Sequence, residues 1–141
     1  MIKRTLRRSA VVTIFVGLFV AAIAGDALAR TGNGSVWVGN SYVNFNGSVY
    51  WWPNGSNHGG MEVYGNLNDT SCDSNSVRVY AKVSGYGYTM LWSNSNGCGS
   101  SVYGDKVVYD PQATQVDDGW IKVCRYNSWG TDKCTEEYQH R

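Results

Sequence analysis

The sequence predicts an all-β fold, a small antiparallel β-sandwich with a barrel as the alternative, held by two disulfides. Three observations carry this reading. Residues 76–83 alternate strictly: Val77, Val79, Ala81 and Val83 fall on one side of an extended chain and Ser76, Arg78, Tyr80 and Lys82 on the other. A period of two is what a strand with one buried and one wet face requires. Beyond residue 29 the only leucines and isoleucine are Leu67, Leu91 and Ile121, while Val, Trp and Tyr with Gly, Asn and Ser make up much of the chain. That is a vocabulary of strands and turns with few strong helix formers. Finally, four cysteines follow a segment that reads as an export signal, so two disulfides are expected.

Lys3, Arg4, Arg7 and Arg8 precede an apolar run over residues 10–24, and Ala27-Leu28-Ala29 supplies a small-x-small cleavage site. Positive head, apolar middle and small-residue exit make a secretory signal peptide over residues 1–29, with Ala22-Ile23-Ala24 as a second cleavage site. The apolar run is shorter than the ~20 residues that span a bilayer, so no membrane association is expected after cleavage. The whole chain carries a formal charge of +1. Removing the basic signal leaves a slightly acidic single domain, which excludes the electrostatic footprint of a nucleic-acid binder.

In chain order, residues 30–38 form an N-terminal arm and first strand, and residues 39–141 a single β-sandwich domain. Arg30, Thr31, Gly32, Asn33, Gly34 and Ser35 are polar and glycine-rich, a mobile arm unless something holds them. Val36-Trp37-Val38 opens the first strand. Residues 42–45 and 48–52 flank Asn46-Gly47, and Asn-Gly between β-rich runs predicts a hairpin with a type I′ turn. In that register Val43, Phe45, Tyr50 and Trp52 share one face, and Tyr42, Val49 and Trp51 the other. Residues 53–60 read as a loop. Residues 61–67 return to alternation with Met61, Val63 and Leu67 inward, and a turn-rich link with Cys72 leads to the strand at 76–83. Further strands are expected over residues 88–92, 102–109, 120–126 and 133–138, separated by the Cys98 loop, a long connection over 110–119 and a turn over 127–132. Seven to nine short strands without a crossover helix favour a sandwich.

Four cysteines allow three connectivities. Cys124 and Cys134 lie symmetrically about the 127–132 turn, so a bridge across that hairpin is sterically natural, which leaves Cys72 with Cys98. No Cys-x-x-Cys spacing supports zinc, and no Asp-x-Asp-x-Asp-Gly run supports calcium, so neither a metal nor a cofactor is expected. His58 and His140 are isolated, no serine sits in a Gly-x-Ser-x-Gly elbow, and Asp117-Asp118 and Glu136-Glu137 are adjacent rather than placed across a cleft. No catalytic residue is expected. The sequons at Asn33, Asn46, Asn54 and Asn68 fall in predicted turns and are explained by turn chemistry.

The aromatics are the functional signal. Six tryptophans and ten tyrosines exceed what so sparse a core can bury. Tyr and Trp with Ser, Gly and Asn resemble the composition of rigid binding surfaces. Trp51-Trp52 is the sharpest case, since adjacent strand residues cannot both face one core. The candidate binding residues are Arg30, Asn33, Trp37, Trp51 and Trp52. They point to a secreted protein–protein module such as an adaptor or inhibitor. A carbohydrate-binding module that stacks sugars on exposed rings is the alternative.

An export signal, a β-domain of this size and the pairs Cys72/Cys98 and Cys124/Cys134 resemble small secreted actinobacterial proteins, among them the adaptor subunits of umbrella toxin particles. The resemblance covers the layout of the chain beyond the signal. It implies an adaptor that links a lectin-like subunit to a large toxin polypeptide, with its N-terminal segment docked into the lectin.

Overall fold

The computed structural model describes residues 31–141; the expected signal peptide and Arg30 lie outside the described residues. Eight strands are described: β1 (Thr31–Gly39), β2 (Val43–Trp51), β3 (Met61–Asp69), β4 (Val77–Val83), β5 (Thr89–Asn94), β6 (Ser101–Val108), β7 (Asp118–Arg125) and β8 (Lys133–His140). They form two four-stranded antiparallel sheets. The first has the order β1-β2-β3-β6 and the second β5-β4-β7-β8. The fold is therefore a β-sandwich and not a closed barrel. The alternation read over 76–83 is β4, where Val77, Val79, Ala81 and Val83 are buried between the sheets. Both disulfides have the expected pairing. Cys124–Cys134 joins directly opposed residues of β7 and β8, and Cys72–Cys98 ties the link before β4 to the loop after β5.

The Asn46-Gly47 hairpin is not present: β2 runs straight through it from Val43 to Trp51. Turn chemistry at Asn-Gly lost to a tertiary demand. A side chain on Gly47 would lie 2.1 Å from the Tyr64 carbonyl oxygen and 2.5 Å from the Phe45 ring. Opposite stands Gly65 at φ 150°, and opposite Gly65 stands Gly104. The three glycines cross the first sheet in one row and leave a trench on its inner face. Phe45 lies along the trench, and Trp92 of the second sheet enters it, with the two rings edge to face at 6.0 Å. A Cβ on Gly104 would come within 2.3 Å of the Trp92 ring. With β2 continuous, Val43, Phe45, Val49 and Trp51 share the inward face, correcting the expected sets, in which Trp51 and Val49 opposed Val43 and Phe45.

β1 begins at Thr31, so the strand takes in most of the segment read as an arm, and β2 holds it. Thr31 and Gly32 pair with Trp51 and Tyr50, and the register slips between Gly32 and Gly34, leaving Asn33 as the extra residue of a bulge. Further along, Val36 and Val38 enter the core while Trp37 points outward.

The other end of the sandwich is tied by polar contacts. Asn94 is fully buried; its amide donates to the carbonyls of Leu67 and Ser100 and accepts from Ser100 Oγ and the Asn96 N–H. That satisfies the donors and acceptors of the side chain beside the Cys72–Cys98 bridge.

Replacing Gly104 by alanine forces the Trp92 ring out of its seat, and urea denaturation is expected to show a loss of ~1–3 kcal/mol, the usual cost of overpacking a core. Gly87→Ala meets nothing within 4 Å and is expected to stay within about 0.5 kcal/mol of wild type.

Candidate functional site

The sequence candidates separate on folding. Trp51 is 0 % exposed and packs in the core under the guanidinium of Arg141, so it is a structural residue. Trp52, the next residue, is half-buried at the strand end, where its carbonyl accepts from Arg141. Trp37 is 60 % exposed on the outer face of β1. Asn33 sits at the β1 bulge, and Arg30 lies outside the described residues. These residues do not converge on one site. Two sheet faces with different chemistry take their place.

On the outer face of the second sheet, Arg78, Tyr80 and Lys82 of β4 lie opposite Cys124, Lys122 and Trp120 of β7, which lie opposite Cys134, Glu136 and Tyr138 of β8. Lysines and rings interleave there. Lys82 Nζ stands 4.6 Å from the Trp120 ring centre and 4.7 Å from that of Tyr88, while Lys122 Nζ stands 3.8 Å from Tyr88 and 5.2 Å from Tyr80. Arg78 lies over Tyr126 at 3.8 Å. Each contact places a cation on the electron-rich face of a ring and holds both side chains in place. Tyr88, from the β4–β5 connection, reaches across this surface and donates its hydroxyl hydrogen to Glu136 on β8. Met90 and Tyr138 project from the surface and are about half exposed.

At the β8 border of this face, Asp118 accepts hydrogen bonds from the Tyr138 hydroxyl and lies 2.9 Å from His140 Nδ1. Those two partners, Tyr138 first, hold the Asp118 carboxyl below its ordinary pKa, and Tyr138 is raised in return by the same hydrogen bond. Tyr88 is pushed well above the ordinary phenol value, first by burial and then by Glu136.

The outer face of the first sheet is built differently. One cross-strand row reads Trp37, Asn46, Asn66, Tyr103; the next reads Gly39, Asn44, Asn68, Ser101. Asn68 donates to Asn44 at 2.7 Å, and Ser101 Oγ donates to Asn66 at 3.4 Å. The Trp37 indole lies down over Gly39, where an added Cβ would be 2.8 Å from its Cζ2. Tyr103, at 62 % exposure, ends the row on the opposite edge strand. Tyr50 and Tyr64 stack at 5.3 Å and 13° toward one end of the face.

His58 stands apart from both faces. It stacks on Tyr109 with ring centres 4.8 Å apart, in a loop where Asn57 and His58 both have positive φ, 44° and 53°. Two consecutive left-handed residues without glycine cost roughly 1–2 kcal/mol each. The loop is held in that shape by Gly55 N–H to the Thr114 carbonyl, Val116 N–H to the Gly59 carbonyl, and the Arg141 guanidinium on the Trp52 and Gly59 carbonyls. The cleft beside it is open and lined by Gly55, Asn57, His58, Tyr109, Ala113 and Thr114. No cluster of three or more His, Cys, Asp or Glu side chains suited to a metal ion occurs among the described residues.

Sequence reasoning missed Tyr88, Met90, Lys122, Tyr138 and Tyr103. The signal for Lys122 was present in the outward positions of the alternating strands, Lys82 with Tyr80 and Trp120 with Lys122. Which of these strands lie side by side is not written in any one segment.

The raised Tyr88 pKa fixes the sign of an alkaline effect. A phenol whose folded pKa exceeds its unfolded value of about 10 stabilises the fold below that pH, and the contribution is lost as pH rises through the folded value. Phenolate absorbance titration is expected to show late-ionising tyrosines, one of which disappears in Tyr88→Phe. Tyr88 titrating with the free tyrosines would contradict the hydrogen bond to Glu136.

No protein-family model, no curated protein and no solved structure matches this chain.

Proposed function

We propose that the protein is exported and works as a non-enzymatic protein-binding module that docks a secreted partner on the outer face of its second sheet. The observation that carries this reading is the interleaving of Lys82 and Lys122 with Tyr80, Tyr88 and Trp120. Rings and ammonium groups fixed against one another lose little conformational freedom on binding, which is what a pre-organised interface needs. Met90 and Tyr138 project from this surface, and methionine and tyrosine are enriched at the centres of protein interfaces. The ring faces of Tyr88, Tyr80 and Trp120 are occupied by cations, so they are poor platforms for a sugar. Two disulfides suit an oxidising compartment.

The layout shared with adaptor subunits of umbrella toxin particles gives the reading a specific form: a small linker between a lectin-like subunit and a large toxin polypeptide. The Trp37 segment is less suited to a free docking arm than its sequence suggested, because Val36 and Val38 on either side are buried in the core.

The test is capture of the partner from the producing culture by the tagged protein. Met90→Ala with Tyr138→Ala is expected to weaken capture about tenfold or more while circular dichroism and melting stay at wild type. Undiminished capture by that double variant contradicts the reading, as does a hydrolytic activity that collapses in His58→Ala.

A further inference from the structure

The outer face of the first sheet, opposite the proposed docking face, has a chemistry of its own. Its exposed rings, Trp37 and Tyr103, make no ring or cation contact among the described residues. They stand at the two ends of one cross-strand row, on the two edge strands β1 and β6, with the exposed amides of Asn46 and Asn66 between them. Three inter-strand spacings of about 4.8 Å separate the ends of that row by roughly 14 Å. The parallel row contributes Asn44, Asn68 and Ser101.

The charge on this face narrows the ligand. The strand positions that point outward here carry no lysine or arginine, and of their carboxylates Glu62 is buried, leaving Asp105. Among the outward strand positions of the described residues an anionic ligand finds no counter-charge, and a cationic peptide finds one carboxylate at the margin. A neutral, flat, hydroxyl-rich chain fits both features. The C–H face of a pyranose covers an open aromatic ring and removes apolar surface from water. Side-chain amides offer a donor and an acceptor close together, which matches vicinal hydroxyls. The Trp37 indole is already laid over Gly39, so little ordering is needed to receive a sugar.

We propose that this face is a binding site for a neutral oligosaccharide of a few sugar units, clamped between Trp37 and Tyr103 and hydrogen-bonded by Asn46 and Asn66. The site is independent of the protein-docking surface, which lies on the other sheet, so each can fail without the other.

Isothermal titration of the purified protein with cellotetraose, chitotetraose, mannotetraose and laminaritetraose, with heparin oligosaccharide as the anionic control, tests it. At least one neutral tetrasaccharide is expected to bind and to change tryptophan fluorescence. Trp37→Ala and Tyr103→Ala are each expected to weaken that binding about tenfold or more. Asn46→Ala with Asn66→Ala is expected to weaken it further than either single change, and Met90→Ala with Tyr138→Ala to leave it unchanged. These side chains are exposed, and unchanged melting temperatures will show that the variants fold. Failure of all four neutral probes at millimolar concentration overturns the proposal. So does binding of heparin alone, or sugar binding that survives both Trp37→Ala and Tyr103→Ala. If Trp37→Ala abolishes capture of the protein partner while no neutral sugar binds, the face is a protein interface and the proposal is wrong.

Discussion

The structure depends on a reciprocal fit in which each sheet leaves out a side chain so that the other can put one in. Gly47, Gly65 and Gly104 cross the first sheet in register and open the trench filled by Phe45 from within and Trp92 from across. In the opposite direction, Met61 of β3 reaches Gly119 of β7, where an added Cβ would lie 2.6 Å from its Sδ. A core short of leucine and isoleucine can therefore be filled to normal density by a few large side chains set over glycines. Among the described residues, Tyr88 is laid across the outer face of the second sheet and asparagines fill the middle of the outer face of the first.

The two faces show how one composition yields two chemistries. Both are rich in tyrosine and tryptophan. On the second sheet, lysines at alternate positions of β4 and β7 sit on the rings and produce a rigid mosaic of charge and aromatic edge. Among the described residues the first sheet has no outward-pointing lysine or arginine in its strands; asparagines occupy the middle of it, and the end rings are more than half exposed. Placement of a few lysines thus decides which rings are covered by a cation.

Much of the fold was legible because it is local. The alternation of β4, the inward set Met61, Val63 and Leu67, the 127–132 turn and the Cys124–Cys134 bridge are all decided by near neighbours in sequence, and the structure has each of them. Asn46-Gly47 was misread because its glycine serves a partner that is remote in sequence: Gly47 is opposed by Gly65 and overlaid by Phe45. No turn propensity encodes that pairing. The Trp51-Trp52 contrast was legible as a pair, but the buried member could be named only once β2 was known to be continuous. Tyr88 and Tyr103 were illegible as site residues, since the first acts on a strand at the far edge of its sheet and the second matters through its position in a four-strand row.

The central proposal is that the outer face of the second sheet meets a protein partner. Lysine footprinting by reductive methylation, comparing the free protein with the protein bound to a captured partner, tests it directly. Lys82 and Lys122 lie within the mosaic, whereas Lys106 is exposed on the edge strand of the other sheet. The account predicts that complex formation slows labelling of Lys82 and Lys122 and leaves Lys106 at its free rate. Protection of Lys106 with Lys82 and Lys122 labelled as in the free protein would contradict it.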